Sequence, residues 1–250
     1  MESGHAGTTV APVVAAGLGI RCPGGWTLRM ASFRLAWTDL GSAALGIVTP
    51  RSLASAALVD ALSGRVAPAY GVLHVLGADM TSASARAAIR GQIGTASRSA
   101  RQVPSASIRR LVERAARRSG PPGSDRRLLV AAILDRLALT PWAEVPLGAA
   151  PELIGRKARL AAACVHQPKL LLIDGLLDHL APLDKTVLAD AIRDCERDTA
   201  VVALGVDPDA LWLICDEVVT LTAGIVVGRP TLSQALRSEE PPAVAQPTRV

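Results

Sequence analysis

One acidic residue stands at the end of the most apolar segment of the chain. Residues 169–174, KLLLID, predict a buried β-strand that places Asp174 at its carboxyl end. A carboxylate in that position is where phosphate-handling α/β proteins hold Mg²⁺. The alternative interpretation is a core strand whose terminal Asp174 caps a turn, and the strand alone does not exclude it.

Histidine and cysteine add no metal site to this prediction. The four Cys are far apart and have no metal-ligand spacing, so we expect reduced thiols. His166 and His179 flank the Asp174 strand. A structural role is preferred for both over metal binding, and Asp174 remains a weak candidate for a metal ligand.

The composition predicts a cytoplasmic protein whose core is built from aliphatic side chains. Half of the 250 residues are apolar, but only six are aromatic, so Ala, Val and Leu must fill the interior. No apolar run reaches the ~18 residues that a membrane span requires. The mean hydropathy of +0.32 is high for such a chain and leaves room for a partner surface.

The positive charge is concentrated in one segment. Nine Arg lie between positions 98 and 127, against two acidic residues, Glu113 and Asp125. Such a cluster could meet phosphates, anionic lipid or an acidic partner, and the alternative is a solvated helix face. No aromatic residues interleave with these Arg, which disfavours stacking on single-stranded nucleic acid.

Hydrophobic periodicity and turn residues predict an α/β organisation. Residues 10–35 predict a hairpin around Pro23-Gly24-Gly25, and residues 43–62 predict a strand, a loop and a helix, the first half of a βαβ unit. Residues 95–107 predict a polar loop, and Asp125 is expected to cap a helix over 126–137. Strands alternate with helices from residue 153 onward, which predicts a mainly parallel sheet.

This order of elements resembles the nucleotide-binding subunit of ATP-binding cassette (ABC) transporters. The similarity covers residues 10 to about 236 and is most specific over 133–184, where AACVHQPKLLLID is typical of the family's helix and Walker B strand. GIVTPRSLASAALVDALSGRVAP, residues 46–68, resembles the phosphate-loop segment and its helix.

The resemblance implies a P-loop NTPase-like core with a mainly parallel sheet, an N-terminal antiparallel β part and an inserted α-helical subdomain. It implies a cassette domain over 10–236, with its core in 10–97 and 156–236 and the helical insert at about 98–155. A flexible tail is expected over 1–9 and a Pro-rich disordered tail over 237–250.

The resemblance also locates the phosphate loop, whose chemistry-bearing residues are replaced. In the family, Gly backbone amides wrap the phosphates, a Lys reaches the β- and γ-phosphates and a hydroxyl binds Mg²⁺. Here the Lys position is Ser55, and the hydroxyl position is Ala56. The vestigial nucleotide-binding residues that the resemblance assigns are Pro50, Ser52, Ser55, Ala56, Ala57 and Asp174.

The remaining family motifs are altered in the same direction. The catalytic Glu position is Gly175, and the switch His position is Val206, so no catalytic residue is expected. The glutamine-loop position falls on Arg98, and the adenine-stacking position falls near Cys22. The signature loop falls on residues 150–154, where Pro151 offers no N–H and Glu152 would repel phosphate.

The resulting hypothesis is a non-hydrolysing cassette subunit that acts as a structural or regulatory partner of a membrane transporter complex. The alternative is an ATP-binding subunit that powers an ABC transporter by hydrolysis with an atypical site; a nucleotide sensor that does not hydrolyse is a third option. No cofactor is expected beyond, at most, weakly bound ATP and Mg²⁺.

The expected partners are an integral membrane transporter subunit and a second cassette subunit, in a homo- or heterodimer, with no nucleic acid. The groove that receives the membrane partner would be lined by Arg98, Arg101, Arg109 and Arg110. The expected location is cytoplasmic, peripheral on the inner face of the plasma membrane through that partner.

Overall fold

A computed structural model describes residues 11–22, 25–38, 43–49, 53–98, 104–119, 124–195, 199–222 and 225–227. The predicted tails over 1–9 and 237–250 lie outside these residues, as do Pro50, Ser52 and Arg101. The division into a core and a helical insert stays a prediction.

The N-terminal third of the chain contributes a four-stranded antiparallel sheet. Its order is β2-β1-β4-β5. The strands are β1 (Val13–Cys22), β2 (Gly25–Leu35), β4 (Tyr70–Val75) and β5 (Ala78–Asp79). The predicted hairpin is therefore confirmed, with Cys22 paired to Gly25 at its tip.

A second, six-stranded sheet forms the centre of the molecule. Its order is β10-β9-β3-β8-β7-β6, and every neighbouring pair is parallel except β9 and β10. The strands are β3 (Ala44–Val48), β6 (Ile93–Ser97), β7 (Leu170–Asp174), β8 (Ala200–Gly205), β9 (Glu217–Thr222) and β10 (Ile225–Val227). This sheet, together with the antiparallel one, confirms the predicted fold class.

Seven α-helices lie among the described residues. They are α1 (Leu53–Leu62), α2 (Ala83–Ile89), α3 (Ile108–Ser119), α4 (Ser124–Arg136), α5 (Glu152–Cys164), α6 (Pro182–Cys195) and α7 (Pro208–Trp212). None of the helices in the described part of the chain has the length and apolarity to cross a membrane.

The alternation of side chains along β7 divides the interior into two cores. Leu170 and Leu172 face α1 and the antiparallel sheet, whereas Leu171 and Ile173 face α5 and α6. Because all four are almost completely buried, β7 is covered on both faces, and its end is fixed from both sides.

Three local predictions are wrong. Residues 95–97 are not loop but the end of β6, which pairs with β7 in parallel register. The strand after α1, β4, joins the antiparallel sheet instead of completing a βαβ unit beside β3, whose parallel neighbours are β8 and β9. Helix α4 begins at Ser124, two residues earlier than predicted, so Asp125 lies inside its first turn.

Candidate functional site

The carboxylate of Asp174 lies at the carboxyl end of β7 and accepts hydrogen bonds from two hydroxyl groups. Ser55 Oγ donates to Asp174 Oδ1 at 2.7 Å. Ser97 Oγ donates to Asp174 Oδ2 at 2.8 Å. Each oxygen of the carboxylate therefore has a protein donor.

Two neighbouring elements bring these hydroxyls to Asp174. Ser55 lies in the first turn of α1, and Ser97 is the last residue of β6, in direct register with Asp174. At the end of β3, the N–H of Thr49 donates to the carbonyl of Gly205 at 2.9 Å. Within α1, Ala54 and Ala57 are buried, and Ala56 is exposed.

The position after Asp174 has a backbone suited to glycine. Gly175 has φ +62°, in the left-handed region that residues other than glycine rarely adopt. A Cβ at this position would lie 3.1 Å from Asp178 Oδ2. Asp178 is 3% exposed, and its Oδ1 accepts the N–H of Val206 at 3.1 Å. The Asp178 carboxylate thus joins the loops that follow β7 and β8.

A buried guanidinium holds the loop after β7 from the side of α5. Arg156, 1% exposed, donates from one terminal nitrogen to the carbonyls of Leu176 and Asp178, at 2.6 and 2.7 Å. Its other terminal nitrogen pairs with the carboxylate of Glu152 one turn earlier on the helix. Glu152, in the predicted signature loop, is therefore the ion-pair partner of Arg156.

The arginines of the predicted partner groove occupy different elements. Arg98 follows β6; its N–H donates to the carbonyl of Asp174 at 2.9 Å, which places it beside Gly175. Arg109 and Arg110 lie on α3, and Arg109 forms an ion pair of 2.5 Å with the exposed Glu144. The groove itself stays a prediction.

Sequence reasoning missed the residues that fix the site from a distance. Ser97 falls in the predicted loop over 95–107, and no role was predicted for Arg156 or Asp178. Their partners are 77, 20 and 28 positions away in sequence. The described residues contain no group of three or more His, Cys, Asp or Glu that could hold a metal ion.

Helix α7, which follows Val206, is held by an ion pair at its start. The carboxylate of Asp207 accepts the N–H of Asp209 at 3.1 Å and caps the helix, and Lys185 Nζ lies 2.5 Å from Asp207 Oδ2. Partial burial raises the pKa of Asp207, but the hydrogen bonds and charge of Lys185 and the α7 amides outweigh it and hold this pKa below its usual value.

This shift predicts an acid-dependent contribution to stability. A carboxyl whose pKa is lowered by folding stabilises the fold above its unfolded pKa of ~3.9, and the contribution is lost as the pH falls through the lower folded value. Asp207→Asn should therefore lower the free energy of unfolding by up to about 1 kcal/mol at pH 7 and by less at pH 3, measured by urea denaturation. Asp60→Asn, which removes an exposed ion pair with Arg65, is the control; an equal Asp207→Asn effect at both pH values would contradict the prediction.

Comparison with solved structures gives the fold. CbiO1 from Clostridium perfringens, part of the ABC transporter complex CbiONQ, superposes with a TM-score of 0.75 over 91% of this chain and 94% of that one, at 18% identity. MJ1267 in its ADP conformation, an ATP-binding cassette of an ABC transporter, gives a TM-score of 0.75 over 88% and 91%, at 12% identity. The chain has the fold of an ABC-transporter ATP-binding cassette.

Sequence comparison supports the same resemblance to ABC ATP-binding subunits. The phosphonates import ATP-binding protein PhnC of Rhizobium meliloti (strain 1021) is 31% identical over 110 residues, which cover 42% of this chain and 39% of that protein. The aligned segment therefore covers well under two thirds of the length of PhnC. No family model matches the chain. The predicted resemblance to ABC nucleotide-binding subunits is confirmed.

Proposed function

We propose that this cassette is a subunit that does not hydrolyse ATP and serves as a structural or regulatory partner of a membrane transporter complex. The observation that carries the proposal is the hydroxyl of Ser55 bonded to Asp174 Oδ1, at the position where the family has its phosphate-binding Lys. A neutral hydroxyl at that position binds the strand-end carboxylate and supplies no positive charge to a triphosphate.

The described residues do not fit a bound Mg²⁺–triphosphate. The metal-binding hydroxyl position is Ala56, and both oxygens of Asp174 already accept hydrogen bonds from Ser55 and Ser97. Mg²⁺ prefers several oxygen ligands in near-octahedral geometry, and with Ala56 at the hydroxyl position Asp174 lacks the partner ligand that the family supplies. We therefore derive no catalytic step through ATP or Mg²⁺, and weak nucleotide contacts are the most that we expect.

The groups that would activate water are replaced as well. Gly175 stands at the position of the catalytic Glu, and its positive φ together with the nearby Asp178 carboxylate disfavours a glutamate there. Val206 stands at the switch position and offers only its N–H, which Asp178 accepts. Each lost transition-state contact costs roughly 3–4 kcal/mol, and even non-additive losses leave a rate close to that of water.

The names of similar proteins support the proposed setting. CbiO1 is part of an ABC transporter complex, and PhnC is an import ATP-binding protein. By analogy we propose that this cassette docks on an integral membrane subunit at the inner face of the plasma membrane and dimerises with itself or a second cassette. The groove near Arg98, Arg101, Arg109 and Arg110 is the proposed docking site on this chain.

An ATP-powered transport subunit is the second candidate. The 31% identity to an import ATP-binding protein favours it, and the replaced site residues oppose it. A nucleotide sensor would differ from both, because it would bind ATP tightly without releasing phosphate.

Phosphate release from ATP and Mg²⁺ distinguishes these candidates. We expect the wild-type chain and Ser55→Ala to release phosphate at the same rate, within about twofold of buffer alone. Release above the Ser55→Ala control would overturn the proposal in favour of the powered subunit, and calorimetric binding of ATP tighter than millimolar without release would favour the sensor.

Purification of the chain from the native membrane fraction tests the proposed partner. It should recover an integral membrane protein, and the absence of one would contradict the proposed partner.

A further inference from the structure

The outward face of the antiparallel sheet exposes a cluster of apolar and aromatic side chains. Trp26 is 42% exposed, Met30 63%, Tyr70 36% and Val72 44%. The whole chain has only six aromatic residues, and its sole Tyr is among these. Together with Arg21, these four residues are called the aromatic platform below. A contiguous exposed patch of this kind marks an interaction surface.

The rings of the platform are held in place by glycine backbone. Tyr70 lies directly over Gly19, where a Cβ would come within 2.2 Å of the ring. The Trp26 and Tyr70 rings meet edge to face, with centroids 5.1 Å apart and planes at 61°. The Arg21 guanidinium lies 5.7 Å from the centroid of the Trp26 ring. The two aromatic faces and the cation are therefore positioned before any ligand arrives.

The remaining members continue this surface across the three strands. Met30 reaches over Gly17, where a Cβ would lie 3.8 Å from its methyl group. Gly17 in turn is in close backbone contact with Gly71, between Tyr70 and Val72. The platform is thus one connected area on β1, β2 and β4.

Fixed aromatic rings beside a cation favour a proline-rich, acidic ligand. Proline-rich segments dock on aromatic-lined grooves, because a preformed extended helix loses little entropy on binding. An Arg beside the rings adds preference for a carboxylate. The chain itself contains such a segment, EEPPAVAQP at residues 239–247.

The segment can reach the platform from where the described chain ends. Strand β10 ends at Val227, and it lies against β2, which carries Trp26 and Met30. Glu239 follows Val227 by 12 residues in the sequence, enough for an extended reach of roughly 40 Å. A tether of this length gives an effective concentration on the order of millimolar, which favours binding within one chain over binding between chains.

We propose that residues 239–247 bind to the aromatic platform of the same chain. Pro241 and Pro242 contact the Trp26 and Tyr70 rings, and Glu239 and Glu240 lie near Arg21. This inference depends neither on nucleotide binding nor on the proposal that the cassette does not hydrolyse ATP.

Photo-crosslinking in the full-length chain tests this contact. A benzophenone amino acid at Val244 should crosslink within the same chain to peptides that contain Trp26 or Tyr70, identified by mass spectrometry. Arg21→Glu should lower the yield about fivefold, because it places like charges together. Adding Glu239→Lys and Glu240→Lys to that variant should restore the yield.

The controls separate this contact from other occupants. Leu128→Ala changes an exposed apolar residue on α4 and should leave the yield unchanged. Crosslinks between chains that vanish on dilution would assign the platform to a second copy and overturn the proposal. Crosslinks elsewhere, or a yield that Arg21→Glu does not change, would also overturn it.

Discussion

Replacing Arg156 with alanine should lower the free energy of unfolding by about 3–5 kcal/mol. The guanidinium is 1% exposed and makes both of its carbonyl contacts inside the protein, to Leu176 and Asp178. Hydrogen bonds from a charged donor are worth roughly 1.5–3 kcal/mol each, and the truncation also leaves two carbonyls and a cavity behind. Urea denaturation of the purified variant measures the loss.

Glu152→Gln is the matched control for this prediction. It removes the ion-pair partner of Arg156, but that carboxylate is 61% exposed. The expected loss is therefore within about 1 kcal/mol. If Glu152→Gln lowered the free energy of unfolding as much as Arg156→Ala, the stabilisation would come from the ion pair. The hydrogen bonds of Arg156 to the loop after β7 would then be the wrong explanation.

The hydrogen bonds of Arg156 bear on function because they fix the loop that carries Gly175 and Asp178. The Asp178 carboxylate in turn accepts the N–H of Val206, so it joins the loops after β7 and β8. An ordered nucleotide site of this fold would use the same two loops for a γ-phosphate.

The central elements were predictable because their patterns are local. Residues 169–174 form an apolar run bounded by a charge at each end, and the structure has β7 there, with Asp174 at its end. The hairpin at Cys22 and Gly25 was marked by its turn residues. Likewise, the position of Ser55 at the start of α1 followed from the family resemblance, although its bond to Asp174 did not.

The failures lie where tertiary contacts override local pattern. Strand β6 is only five residues long, IGTAS, and most of its side chains are small. Its pairing with β7 and its contact with α5, rather than its local pattern, make it a strand. The partners of Asp174 are 119 and 77 residues away in sequence. No periodicity or spacing in one sequence reports such contacts, so Ser97 was missed and Arg156 had no predicted role.

Gly94 in β6 should not tolerate an added methyl group. A Cβ there would lie 2.3 Å from the carbonyl oxygen of Ala163, in the last turn of α5, and 3.0 Å from Pro168 Cγ. The first of these is backbone, so β6 and α5 would have to separate. Gly94→Ala should therefore lower the free energy of unfolding by about 3 kcal/mol, measured by urea denaturation.

Gly91→Ala provides the comparison, because a Cβ at that position meets nothing within 4 Å. Its free energy of unfolding should change by less than about 1 kcal/mol. Since β6 carries Ser97 and α5 carries Arg156, separating them should also increase hydrogen exchange in the loop after β7 in Gly94→Ala but not in Gly91→Ala. Equal stability of the two variants would show that the close approach of β6 to α5 does not hold the site together.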